Sequence, residues 1–197
     1  MSGRPLAVAI TGGIAAGKTE ALAAFERRGA AVSSADALVH RVYREDESLK
    51  TELRDRWGDD VFDADGEVDR AAVAAIVFAD RAELDWLESV VHPRVRRAQH
   101  EWLAEQRSRP EPPALVVVEI PLLYETGGEA HYDKVVALTA SAAVREQRRG
   151  AFTGREERLI PDDEKLRRAD FAYVNEGTLA ELDAFVAGVV EELVSSA

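Results

Sequence analysis

The sequence contains no cysteine. That absence excludes disulfides, thiolate zinc sites and cysteine nucleophiles. Lysine is scarce, with only Lys18, Lys50, Lys134 and Lys165, so positive charge rests mainly on arginine. No apolar run approaches about 18 residues, and the stretch before Leu6 does not read as a secretory leader. The expectation is a cytoplasmic protein with no membrane partner. A net charge of −12 argues against broad binding to nucleic acid. What remains is a chain of 197 residues, 46% hydrophobic and 31% charged, long enough for one domain with a real core. An acidic chain that binds an anion must gather its positive charge locally.

Gly12 to Thr19 read GGIAAGKT, the P-loop spacing of Gly12, four residues, Gly17, Lys18 and Thr19. Leu6–Ile10 before it is an apolar run suited to a buried strand. Ala21, Leu22, Ala24 and Phe25 after it carry helical spacing, and Gly29 marks a stop. A glycine-rich turn between a strand and a helix N-terminus wraps polyphosphate with backbone N–H groups and the helix dipole. In that setting Lys18 faces the β- and γ-phosphates, and the Thr19 hydroxyl faces Mg²⁺.

Strands are predicted at Leu6–Ile10, Ala30–Ser33, Leu115–Glu119, Val135–Thr139 and Phe171–Val174, alternating with helices. That order predicts an α/β fold with a mostly parallel sheet. Roughly four helices separate the second and third strands, where one suffices for a parallel crossover. Two of them, Ala82–Val91 and Arg94–Gln106, are expected to meet at His92-Pro93, with His92 extended and Pro93 at a first helical position. On residue types alone, His92, Pro93 and Arg96 read as a helix boundary with surface arginines.

Asp36 follows the second strand and belongs at the carboxyl edge of the sheet, where ligands bind. It suits a proton acceptor or metal-water ligand, and equally an N-cap for a helix beginning at Ala37. Glu119 ends the central strand, where a carboxylate is costly unless it has a task such as touching Mg²⁺ through water. Asn175 fits either an adenine edge or ordinary turn chemistry. The arginines from Arg145 to Arg158 fit a lid over a triphosphate or a solvated helix face.

These stretches together resemble the dephospho-coenzyme A kinase family. The matching segments are AITGGIAAGKT, Ser34-Ala35-Asp36, DGEVDRAAVAAIVF at Asp65–Phe78, VHPRVR at Val91–Arg96, EIPLLYETG at Glu119–Gly127, EKLRRAD at Glu164–Asp170 and YVNEGT at Tyr173–Thr178. The resemblance implies a three-layer P-loop kinase fold with a five-stranded parallel sheet. The core would take residues 1–45, 114–140 and 170–197, a helical acceptor-binding insertion about 46–113, and a short lid about 141–169. The implied reaction moves the γ-phosphoryl of ATP, with Mg²⁺, to the ribose 3′-hydroxyl of dephospho-coenzyme A. By the same resemblance Gly12, Gly13, Ile14, Ala15, Ala16, Gly17, Lys18, Thr19, Arg148, Arg155 and Asn175 bind ATP. Lys18, Asp36 and Arg148 are the implied catalytic residues, and Thr19 and Glu119 the metal residues. Asp36, His40, His92, Pro93 and Arg96 would lie along the acceptor.

The chain departs from the family pattern at three places. Ser34 replaces an acid, and Leu159 stands where glutamine is common, in a lid shortened around Arg149–Arg155. Ala15-Ala16 replaces Gly-Ser, a change that a helix-forming backbone tolerates. The rivals are another P-loop small-molecule kinase, acting on a nucleoside or nucleotide, and a non-catalytic nucleotide-binding module. A guanine switch would carry Asn-Lys-x-Asp, which does not occur here.

Overall fold

The computed structural model describes residues 4–149 and 160–196, without the side chain of Arg149. The described residues form two compact units. The first runs to Ser34 and resumes at Leu103, and the second is Ala35–Trp102.

The first unit is built on five strands: β1 (Leu6–Gly12), β2 (Ala31–Ser34), β3 (Leu115–Glu119), β4 (Lys134–Thr139) and β5 (Phe171–Val174). They form one parallel sheet in the order β2-β3-β1-β4-β5. β3 pairs with both β1 and β2, and Val116, Val117 and Val118 are fully buried, which is why it reads as a continuous apolar run. One face of the sheet packs on α1 (Lys18–Glu26) and α8 (Leu179–Ser195) through Val8, Ile10, Phe25, Val117, Leu182 and Val186. The other carries Ala9 and Val135 against Leu123, Tyr124 and Ile160, beside α7 (Asp162–Arg168). Three layers result.

Register levels the carboxyl edge. Glu119 stands opposite both Ile10 and Ser34, Gly12 opposite Leu138, and Thr139 opposite Val174. The chain leaves β1 at Gly12, whose φ is +136°. A Cβ there would sit 1.8 Å from the Leu138 carbonyl oxygen, so only glycine fits.

A charged clamp joins α1 to α8. Arg27 donates to Asp183 at 2.7 Å and Arg28 at 3.0 Å. Those donors, Arg28 first, hold the Asp183 carboxyl well below the usual carboxylate range. A carboxyl harder to protonate folded than unfolded stabilises the fold at neutral pH, and the contribution fades as pH falls below about 4. Asp183→Asn is therefore expected to lower the Tm at pH 7, by an amount that shrinks as both proteins are melted at successively lower pH. A deficit independent of pH would show that the charge is irrelevant.

The second unit contains α2 (Ala35–Glu45), α3 (Glu47–Trp57), α4 (Arg70–Ala79) and most of α5 (Arg81–Arg107). Leu38, Val42, Leu49, Leu53, Val73, Val77, Leu87 and Val91 are among its buried apolar residues.

Two local expectations are corrected here. No helix boundary exists at His92-Pro93, because α5 runs unbroken through Pro93. Proline lacks an N–H and usually breaks a helix. Here the Arg94 guanidinium lies back along the helix, donating to Val90 O at 2.8 Å and pairing with Glu52 at 2.6 Å and Asp46 at 3.2 Å. The helix beside Pro93 is thereby pinned to α3. Burial pushes the Asp46 carboxyl up, but Ser48, the Leu49 N–H and Arg94 together hold it below its ordinary value. Nor is Asp36 a helix cap. α2 begins at Ala35, and Asp36 lies inside its first turn.

Candidate active site

Each end of the phosphate loop is tied down by backbone bonds. Gly13 N–H donates to Leu138 O at 3.2 Å, Ala16 N–H to Gly13 O at 3.3 Å and Ala21 N–H to Gly17 O at 3.0 Å. Gly17 caps α1 with φ +94°, and the first turn of α1 directs its N–H groups, which have no helical acceptor, toward the loop. Ala15 has φ +58°, so the helix-forming backbone expected there is absent. The left-handed conformation costs an alanine about 1–2 kcal/mol that glycine would not pay. The loop holds it there regardless.

Lys18 donates to Gly13 O at 2.8 Å and lies 3.9 Å from a Glu119 carboxylate oxygen. Both side chains are largely buried, at 10% and 16% exposed, so their attraction is weakly screened. Thr19 is exposed in the first turn of α1. Thr19 offers a hydroxyl and Glu119 a carboxylate, and among the described residues no cluster of three or more acids, histidines or cysteines is placed to hold a metal. That set fits Mg²⁺, which keeps several waters and is completed by substrate phosphates rather than by a protein cage.

Asn175 follows β5 and is buried. Its N–H donates to Thr139 O at 2.7 Å, and its Nδ2 to Ala16 O at 2.9 Å. A Cβ on Gly17 would come within 2.3 Å of that Nδ2, so Asn175 adds to the positive φ in restricting this position of the motif to glycine. Arg148, on α6 (Ala142–Arg149), donates to Ala15 O at 3.3 Å and Asn175 O at 3.1 Å. Thus α6 turns this arginine to the phosphate loop rather than to solvent alone. A cavity of about 370 Å³ opens beside these groups, lined by Gly17, Glu20, Arg148, Asn175, Thr178 and Leu179 among others.

Three participants, Asp162, Thr178 and Leu179, escaped the sequence reading, and Arg145 entered it only among the lid arginines. Asp162 accepts from the Thr139 hydroxyl at 2.7 Å and lies 3.5 Å from Arg145. A Cβ on Gly13 would meet the Asp162 carboxylate at 2.4 Å and Arg145 at 3.1 Å, so both residues press on the loop. Nothing local in the sequence marks this pair, which meets only because β4, α6 and α7 converge. Thr178 and Leu179 line the cavity at the start of α8. Their signal was legible: Thr178 and Glu181 form a capping box. Arg155, with Arg158 and Leu159, lies outside the described residues.

The candidates for the acceptor all fall in the second unit. Asp36 and His40 are exposed and four residues apart on α2, hence on one face. His92 and Arg96 are likewise four apart on α5, with Pro93 on the same side three residues before Arg96. Arg96 and Arg97 are exposed, whereas Arg94 is consumed by Asp46 and Glu52. ATP and acceptor candidates therefore segregate by unit.

The dephospho-CoA kinase (CoaE) family model matches residues 6–181. A dephospho-CoA kinase from Mesorhizobium japonicum is 38% identical over 95% of this chain and 96% of its own. One from Thermus thermophilus is 36% identical over 98% and 94%. Among solved structures, one from Thermus thermophilus has a TM-score of 0.76 at 34% identity, covering 97% of this chain and 99% of that one. The dephospho-CoA kinase from Campylobacter jejuni has a TM-score of 0.74 at 25% identity, covering 96% and 98%. Shikimate kinase from Aquifex aeolicus, at 10% identity and a TM-score of 0.53, shares the fold alone. With the phosphate loop, the parallel sheet and a match along nearly its whole length, this chain belongs to the dephospho-CoA kinase family.

Proposed function

We propose that this chain phosphorylates the ribose 3′-hydroxyl of dephospho-coenzyme A with ATP, the last step of coenzyme A synthesis. The observation that carries the reading is an intact phosphate loop, with Lys18 at its centre and Glu119 beside it, in a chain matched to that family over residues 6–181. The same reading places the protein in the cytoplasm, and no described helix is long and apolar enough to cross a membrane.

In the reading, the loop's N–H groups and Lys18 hold the β- and γ-phosphates. Lys18 exchanges Gly13 O for phosphate oxygens, and Arg148 spans the loop and the base cavity. Asn175 Nδ2 gives one of its two N–H groups to Ala16 O, which leaves the other N–H and Oδ1 for an adenine edge. Thr19 and, through water, Glu119 would hold Mg²⁺, which would neutralise phosphate charge. Asp36 takes the proton of the acceptor hydroxyl as that oxygen bonds to phosphorus and the bond to the ADP oxygen breaks. His40, His92, Pro93 and Arg96 position the acceptor.

The direct test is product mass from Mg²⁺-ATP and a panel of acceptors. Dephospho-coenzyme A should gain one phosphoryl group, while shikimate and nucleosides should not react. Arg96 gives a sharper check. A hydrogen bond to a charged group contributes about 1.5–3 kcal/mol, so Arg96→Ala should raise the KM for dephospho-coenzyme A by roughly one to two decades. The KM for ATP should stay near that of the parent. Equal rises in both would remove Arg96 from the acceptor site.

A further inference from the structure

Lys165 is a charged residue that the reaction above does not use, yet it is only 1% exposed. Its ammonium pairs with Glu125 Oε1 at 2.7 Å and donates to Pro121 O at 3.3 Å. The same Glu125 oxygen accepts the Ile160 N–H at 3.0 Å, while Glu125 Oε2 is buried with no hydrogen-bond partner. A buried ion pair is usually replaceable by apolar groups at no loss of stability, so stability is a weak reason for this one. Its position is more informative.

Pro121 O also accepts the hydroxyl of Thr11, the residue that precedes the phosphate loop, at 3.3 Å. Ile120 N–H donates to Ile10 O at 2.8 Å. Three segments are therefore tied together through Pro121 O and Glu125: the end of β1, the stretch leaving β3, and the arm from Ile160 into α7. Glu119 is two residues before Pro121, and its carboxylate stands 3.9 Å from Lys18. Whatever holds Pro121 O holds the direction in which Glu119 leaves the sheet.

We propose that Lys165 and Glu125 are positioning residues for phosphoryl transfer, their buried pair fixing the segment that carries Glu119 against the phosphate loop. The proposal rests on the reading of Glu119 as part of the Mg²⁺-water shell. Partners that orient a metal's ligands typically alter metal affinity or activity by about 10–100-fold when removed. A directional contact of this kind explains a charge where a methionine would fill the space.

The experiment compares Lys165→Met, the double variant Lys165→Met/Glu125→Gln, and Glu119→Gln. Each is assayed for Tm, kcat, substrate KM and the Mg²⁺ concentration giving half-maximal rate. Lys165→Met leaves a buried carboxylate unpaired and should lower Tm. The double variant removes both charges and should regain much of that Tm. Its kcat should remain about tenfold or more below the parent, with half-saturating Mg²⁺ raised and the KM for dephospho-coenzyme A unchanged. A stable double variant with parental kcat and Mg²⁺ response overturns the positioning role. Should the double variant fail to fold, Lys165→Arg keeps the charge but alters its reach, and a parental Mg²⁺ response there overturns the role equally. If Glu119→Gln itself responds to Mg²⁺ like the parent, the reading of Glu119 fails. If Glu119→Gln shifts and the double variant does not, the positioning role fails alone.

Discussion

Replacing Lys18 with alanine is expected to cut phosphoryl transfer by two to three decades while leaving the fold in place. The fold does not depend on the ammonium. The loop is held by Gly13 to Leu138, Ala16 to Gly13 and Asn175 to Ala16, all through atoms that the substitution leaves untouched. What disappears is the cation 2.8 Å from Gly13 O, at the mouth of the cradle where phosphate charge shifts during transfer. A preorganised donor of this kind contributes about 3–4 kcal/mol to the transition state. The loss also leaves Glu119 without the ammonium 3.9 Å away, which adds repulsion toward an anionic nucleotide. Turnover and Tm measured side by side check the claim. A variant that keeps more than about a tenth of parental kcat would remove Lys18 from that role.

The sheet was legible in the sequence for a physical reason. Strands buried on both faces leave continuous apolar runs, and Leu115–Glu119 is such a run between a proline-rich approach and a terminal acid. The phosphate loop was legible because its backbone geometry admits few residue types, as the contacts at Gly12 and Gly17 illustrate. Local rules failed where a distant side chain intervened. Pro93 reads as a helix boundary until Arg94 is seen occupying Val90 O and reaching Asp46 and Glu52 on α3. Ala15 reads as helix-compatible until the loop forces it to a positive φ. Lys165 sits in Asp162-Asp163-Glu164-Lys165-Leu166-Arg167-Arg168, a stretch as polar as any solvated helix. Its burial follows from Glu125 and Pro121, some forty residues earlier, and no periodicity within α7 encodes that meeting. Asn175 is a similar case: the sequence offered a base contact or a turn, and nothing local marked the further bond from its Nδ2 to Ala16 O in the loop.

Asp36→Asn is expected to lower kcat by two to four decades with little change in stability or in the KM for ATP. The substitution keeps the shape of the side chain and removes its charge and its capacity to accept a proton. Had Asp36 capped α2, asparagine would have served almost as well, and unchanged activity would have been the expectation. The structure withdraws that alternative, since α2 already includes Ala35 and Asp36 stands in the first turn. A first-turn acid interacts favourably with the helix dipole, but by only about 0.3–1 kcal/mol, and solvent screens it at an exposed position. The structural cost is therefore small, and a large kinetic effect has to come from chemistry. Ser34 makes the test cleaner. Where the family carries an acid two residues earlier, this chain has a hydroxyl, so no second carboxylate in Ser34-Ala35-Asp36 stands ready to take the proton. A general base that can be bypassed only by water is worth roughly two to four decades. In the proposed reading ATP is held by the loop and Arg148, so the KM for ATP should stay near the parental value while kcat falls. A stable Asp36→Asn enzyme with parental kcat would mean that the acceptor hydroxyl loses its proton without a dedicated base, and that positioning by α2 and α5 alone sustains the reaction.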